Sequence, residues 1–217
     1  MKHRASFALV LATMLAGCAA GSSAAAQPPE TVWNFRATLD GNPIGTHRFS
    51  IKTEGEERRL VSEANLAVKF LGLTVYRYRH EATEHWHGDC LRALSATTDD
   101  DGKLSSVLSA QDGDVFGITA PAAVSVAGCV MSYAYWNPAF RAQTRLLNAQ
   151  TGQLDAVNIV RVGRPGAPRP QGLPASAIQF RINGQAHPID VWYSAEGAWI
   201  GLDATVRGGR TLSYRLQ

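Results

Sequence analysis

The sequence predicts an all-β, mainly antiparallel fold. Its curved sheet is expected to close into a barrel or a sandwich-like half-barrel, with one short helix near residues 138–148. Three observations carry that expectation. Apolar residues recur at every second position along most of the chain, Asp-Gly and Asn-Gly turn chemistry separates the alternating runs, and helical spacing occurs in one segment.

The opening strand sets Trp33, Phe35, Ala37 and Leu39 on one face and Asn34, Arg36 and Thr38 on the other. Asp40-Gly41-Asn42-Pro43 then turns the chain, and Gly45 to Ile51 returns with Phe49 and Ile51 on a common face. His47 shares that face and reads as a core histidine. The turn chemistry recurs at Asp99 to Gly102, Asp112-Gly113, Asn183-Gly184, Glu196-Gly197 and Gly208-Gly209. Around these lie Ile178-Phe180-Ile182, Ile189-Val191-Tyr193 and Leu212-Tyr214-Leu216. Between Asp114 and Arg141 no residue is charged, but Gly117, Pro121, Ser125 and Gly128 interrupt the run. Two buried strands around Pro121 fit it better than a membrane span. Asn137-Pro138 is a helix start, followed by Phe140, Thr144 and Leu147 at helical spacing. Gly163 to Pro174, with four prolines and three glycines, is a long loop.

The first thirty residues give an address. Lys2, His3 and Arg4 form a positive start, and Ala5 to Leu15 an apolar run too short to cross a bilayer of ~30 Å. Leu15-Ala16-Gly17-Cys18 resembles the bacterial lipobox. That resemblance implies a signal peptide over 1–17 and a diacylglycerol thioether on Cys18. The Ala-, Ser-, Gly- and Pro-rich composition then reads as a flexible tether over 18–30, and the alternating pattern as a single β-rich domain over 31–217. Ala19 stands where an aspartate would imply inner-membrane retention, so the outer membrane is favoured, with the domain facing the periplasm. Secretory cleavage after Ala26, giving a soluble periplasmic protein, is the alternative.

Cysteine parity agrees with export. Of three cysteines, assigning Cys18 to lipid leaves Cys90 and Cys129, which are expected to pair in an oxidising compartment. The loop they would close is worth ~4 kcal/mol in the chain-entropy model. Two buried free thiols are the alternative. Charge excludes a nucleic-acid partner: the formal net charge is +3, and without Lys2 and Arg4 only 19 basic residues face 18 acidic ones.

The densest polar cluster lies in Val75 to Trp86. In extended chain Tyr76, Tyr78, His80, Ala82, Glu84 and Trp86 share one face, and Arg77, Arg79, Glu81, Thr83, His85 and His87 the other. The second face meets solvent. The first combines aromatic bodies with polar tips, and Glu84 needs a partner or a raised pKa if buried. His85 and His87 with Glu81 are a weak metal pattern, because Arg77 and Arg79 oppose a cation. His80 and Glu84 could exchange protons, but no nucleophile or oxyanion hole is placed nearby by spacing. The reading we favour is a satisfied polar layer lining a ligand cavity, with Tyr76, Tyr78, His80, Glu84 and Trp86 as the lining candidates. No cofactor or metal motif occurs: there is no Gly-x-Ser-x-Gly, phosphate-cradling glycine loop, His-Glu-x-x-His or Cys-x-x-Cys. Asp99 to Asp101 lacks the ligand spacing of a calcium loop.

Several longer stretches carry a family resemblance. They are WNFRATLDGNPIGTHRFSI, VYRYRHEATEHWHGDCL with the following T-T-D-D-D-G-K turn, Tyr135-Trp136-Asn137, LLNAQTG and the ending DVWYSAEGAWIGLDATVRGGRTLSYRL. Together the chain resembles an uncharacterised family of exported bacterial proteins, domain of unknown function 6134. The resemblance implies export and a β-rich fold and brings no activity, substrate or catalytic residue.

The functional expectation is a non-enzymatic, membrane-tethered periplasmic protein that binds a hydrophobic or lipid-like ligand inside its sheet. The alternatives are an envelope scaffold or assembly factor docking a protein through a strand edge or the Pro-rich loop, and an enzyme using His80 and Glu84.

Overall fold

The computed structural model describes residues 29–163, 169–184 and 186–217; Cys18 and the signal segment lie outside them, as does the middle of the Pro-rich loop. Eight strands come first: β1 (Glu30–Leu39), β2 (Asn42–Glu54), β3 (Glu57–Phe70), β4 (Leu73–His87), β5 (Cys90–Asp100), β6 (Lys103–Asp112), β7 (Val115–Ala120) and β8 (Val124–Ala127). Two short strands, β9 (Arg145–Leu147) and β10 (Leu154–Ala156), form a separate hairpin. The chain ends with β11 (Asn158–Val162), β12 (Ile178–Asn183), β13 (Ile189–Tyr193), β14 (Trp199–Val206) and β15 (Arg210–Leu216).

Thirteen of these strands make one antiparallel sheet in the order β11-β12-β13-β14-β15-β1-β2-β3-β4-β5-β6-β7-β8. The first and last strands therefore meet in the middle, with Phe35 opposite Leu216 and Leu39 opposite Leu212. The edges, β8 and β11, come from mid-chain. They do not pair, so the sheet stays open and the barrel is not closed.

The sheet is nonetheless rolled. Thirteen flat strands would span roughly 58 Å at ~4.8 Å per step. Phe116 on β7, Phe35 on β1 and Ile182 on β12 instead share one buried cluster. Rolling lets inward residues from the whole sheet meet, as the right-handed twist of antiparallel strands favours. The alternation read from sequence produces this directly: Phe35, Ala37 and Leu39 are buried while Arg36 is exposed. Among the described residues, the buried cluster runs from Phe35 to Tyr214.

The interior is filled by the connection between the two edges. From Cys129 to Val157 the chain leaves β8, crosses inside the rolled sheet and emerges at β11, burying Val130, Met131, Ala134, Phe140, Leu146 and Leu147 on the way. The Cys90–Cys129 disulfide staples its entry to the start of β5. Leu91 N–H donates to the Val130 carbonyl at 2.9 Å, and Tyr193 O–H donates to the Tyr135 carbonyl at 2.7 Å, tying the segment to both halves of the sheet.

One expectation changes here and a second is extended. The helix of residues 138–148 is a single 3₁₀ turn over Pro138–Ala142, capped by the Asn137 carboxamide accepting from Ala139 N–H at 3.0 Å. Gln143 is already extended, and Leu147 N–H donates to the Met131 carbonyl at 2.8 Å. The Phe140-Thr144-Leu147 spacing thus comes from a tight turn followed by a strand, both pressed against one core. The uncharged stretch does hold β7 and β8 on either side of Pro121, and they bury Phe116, Ile118 and Val126 while Val115 and Val124 on their other face are exposed. Beyond them the irregular run Val130 to Trp136 is also apolar, because it packs inside the sheet rather than pairing in it.

Candidate functional site

Where the interior segment crosses β2, β3 and β4 it leaves a cavity of about 170 Å³. The sheet contributes His47, Phe49, Leu60, Ser62, His80, Ala82, Glu84 and Trp199, and the segment covers them with Ser132 to Trp136 and Asn148 to Gln150. Each sheet residue faces inward for the same reason: it lies on the even-spaced buried face of its strand.

Glu84 is the chemical centre. It is 5% exposed, and its Oε2 accepts from Trp86 Nε1–H at 2.9 Å. Burial pushes its carboxyl up to about 7; the Ser132 hydroxyl and the Trp86 N–H pull the other way without restoring the ordinary value. Ser132 Oγ is near enough to act on Glu84 but makes no hydrogen bond of good geometry, and the Trp136 indole N–H in the same wall also lacks a hydrogen-bond partner.

The two imidazoles are held neutral. Burial lowers His80 to about 4, and its Nδ1 shares a hydrogen bond with Thr98 Oγ1 at 2.9 Å. Burial, helped by the nearby His80, lowers His47 to about 3. His47 Nε2 lies 2.7 Å from Ser62 Oγ and its Nδ1 3.3 Å from the Tyr214 hydroxyl, with the ring stacked 4.0 Å from Phe49. Burial also raises the phenols of Tyr135 and Tyr214 above their ordinary value. At neutral pH the site is therefore a small, nearly uncharged pocket that presents several hydrogen-bonding groups and one carboxyl near its midpoint.

Of the residues expected to line a cavity, the structure brings His80 and Glu84 to it. Trp86 is fully buried behind Glu84, with its ring 5.3 Å from Trp136 in an edge-on contact. Tyr78 packs against the core beside His80, at a ring separation of 6.5 Å, outside the cavity wall. Tyr76 lies farther along β4, where its hydroxyl bonds to Asp100. The strand outruns the covering segment, so only its second half faces a lid. His85 is exposed and His87 meets Glu57 and Glu56 on the outer face, well separated from the interior groups. The residues that strand alternation alone did not bring to the site are His47, Ser62, Ser132, Tyr135 and Trp199.

Known proteins share this architecture. A family model described as a domain of unknown function (DUF6134) matches residues 35–217, which include every strand from β2 to β15 and all the cavity residues. The chain belongs to the DUF6134 family. A comparison with curated proteins finds no match. Among solved structures, this DUF6134 protein is similar to a beta-barrel-like protein of domain of unknown function DUF1849 from Brucella abortus. The TM-score is 0.60 at 12% identity, over 88% of this chain and 96% of that one. That likeness concerns the fold, an all-β antiparallel sheet.

Proposed function

We propose that this DUF6134 protein is a non-enzymatic binding protein of the cell envelope. On this reading it is tethered through acylated Cys18 at the outer membrane, faces the periplasm, and holds a compact ligand in the His80–Glu84 cavity. The observation that carries the reading is the cavity itself: a partly open pocket walled by Phe49, Leu60, Trp136 and Trp199 with His47, His80, Glu84 and Ser132 converging on it. Large apolar surface with a few placed polar groups is the usual composition of a small-molecule site.

Size narrows the ligand. Drug-sized pockets run ~300–1,000 Å³, and an engineered cavity of ~150 Å³ takes one benzene. At about 170 Å³ the site suits a ring-sized hydrophobic group bearing a hydrogen-bonding substituent, or the polar-tipped end of a longer molecule, rather than a whole lipid. The same groups make poor catalysts. His47 touches Ser62, but an imidazole held near 3 is a weak base at neutral pH, and its other nitrogen faces a phenol rather than a carboxylate.

The test is a thermal-shift and calorimetric screen with phenol-, indole- and benzoate-sized compounds, repeated on Ala82→Leu. Ala82 lines the cavity, and the added carbons would fill it. Saturable binding that Ala82→Leu abolishes supports the proposal. Binding that Ala82→Leu leaves intact, or no binding across the panel, refutes it.

A further inference from the structure

The hairpin formed by β3 and β4 reaches beyond its neighbours. The last pair between β2 and β3 is Gly45–Leu66, and the last between β4 and β5 is Tyr78–Asp100. From Ala67 to Arg77 the ladder is therefore a two-stranded ribbon, with Asp101 reaching only its base at Arg77. Five residues of β4 carry the tip roughly 17 Å past its last pair with β5.

That tip is apolar. Phe70 is 66% exposed, Leu71 87%, Leu73 72% and Val75 54%. Isolated exposed apolar residues are ordinary, but a contiguous group at the end of a projecting ribbon marks an interaction site. A bare two-stranded ribbon is also only marginally stable in water, so exposing its apolar end has no folding benefit.

Turn chemistry gives an independent reason. Three hairpins of this sheet turn through the same pair of left-handed residues: Asp40-Gly41 (φ 50° and 80°), Asp101-Gly102 (54° and 88°) and Leu71-Gly72 (50° and 82°). Two use aspartate at the first position, one of the few side chains that tolerates that backbone. The third uses leucine, which the backbone disfavours and which touches nothing that would bury it. The same fold would be better served by Asp or Asn, so Leu71 answers to something outside the fold.

We infer that the Phe70-Leu71-Gly72-Leu73 tip inserts into the interfacial region of a lipid bilayer, as a membrane contact separate from any N-terminal anchor. Charge favours a membrane over a protein groove. From Ala64 to His80 the chain carries Lys69, Arg77 and Arg79 and no acidic residue. The nearest acids, Asp99 to Asp101, sit at the ribbon's base and are engaged by Gly102 N–H, the Tyr76 hydroxyl and Arg77 N–H. An apolar end collared by long cationic side chains matches acyl chains beneath anionic headgroups. Reach is compatible with an anchor at Cys18. Glu30 lies level with Arg59, eleven residues before Phe70, and residues 19–29 are also eleven, so their extended length of ~36–40 Å covers the same span.

The experiment is vesicle co-sedimentation of the chain beginning at Ala19, which keeps every described residue and, without Cys18, carries no acyl group. Vesicles of mixed phosphatidylethanolamine and phosphatidylglycerol are compared with phosphatidylcholine, and the wild type with Phe70→Thr/Leu71→Asn/Leu73→Thr. We expect binding to the anionic vesicles, weaker binding to phosphatidylcholine, and at least a tenfold loss in the variant. Its melting temperature should be unchanged or raised, since Asn suits the left-handed turn. Absence of vesicle binding overturns the inference and leaves a protein groove as the tip's fit; binding unaffected by the substitutions overturns it too. Neither result bears on the cavity, whose ligand screen is read separately.

Discussion

Replacing Glu84 by glutamine should make the protein more resistant to alkaline conditions. The Glu84 carboxyl is buried and raised from an ordinary 4.5 to about 7. The folded state therefore holds this proton more tightly than the unfolded chain, and stability is lost as pH rises from about 4.5 through about 7. At about 1.36 kcal/mol for each tenfold change in proton affinity, the full cost approaches about 3 kcal/mol. Between about pH 5 and pH 8 roughly 2–3 kcal/mol of it develops. Glutamine cannot ionise, and its carbonyl can still accept from Trp86 Nε1–H, which is 2.9 Å away in the wild type. The two proteins should then be close in stability near pH 5, with the variant gaining about 2–3 kcal/mol relative to wild type by pH 8, or roughly 5–10 °C in melting temperature. Urea unfolding followed by tryptophan fluorescence at both pH values, with the disulfide intact, measures the difference. Because both proteins keep the same histidines, their titrations cancel. A wild-type-to-variant difference that is the same at both pH values would show that Glu84 is not a buried, proton-holding carboxyl.

Three further outcomes follow from the same structure. His80 behaves with the opposite sign: its folded pKa of about 4 lies below the ordinary 6.5, so it supports stability above that range and loses it as pH falls through about 4. His80→Gln should shift the acid-unfolding midpoint to lower pH, and an unmoved midpoint would remove His80 from the account. Gly45→Ala would place a methyl carbon 2.0 Å from the Asn65 carbonyl oxygen at a φ of 144°, so it should cost about 2–4 kcal/mol in urea unfolding. A near-neutral result would mean β2 and β3 are not packed as described. Reducing Cys90–Cys129, or replacing both with serine, should cost about 4 kcal/mol and loosen the interior segment first. Amide exchange at Val130 and Met131 that stays as slow as in the oxidised protein would contradict the staple.

The alternating face of β4 was legible because side-chain direction in a strand depends only on parity. That is why His80, Ala82, Glu84 and Trp86 are all buried on one side while Arg77, Arg79 and Glu81 are exposed. The His47–Ser62 contact was not legible, because it depends on register: Phe49 stands opposite Ser62, and alternation alone does not say which residues of two strands meet. The interior segment was harder still. Ser132, Tyr135 and Trp136 reach the cavity on irregular backbone, which has no period to detect. The strands around Pro121 were visible in the apolar excess from Val115 to Trp136, but the use of its last part, Val130 to Trp136, as interior filling was not. The same segment misled the helix assignment, since a 3₁₀ turn at Pro138–Ala142 followed by β9 reproduces helical spacing over one stretch.

Native mass spectrometry of the disulfide-bonded protein, purified without detergent, bears most directly on the binding reading. The proposal predicts a wild-type population carrying one small compound that is released on denaturation and is missing from Ala82→Leu. A single unliganded mass for both proteins, unchanged after incubation with the ring-sized compounds that suit the cavity, would contradict it.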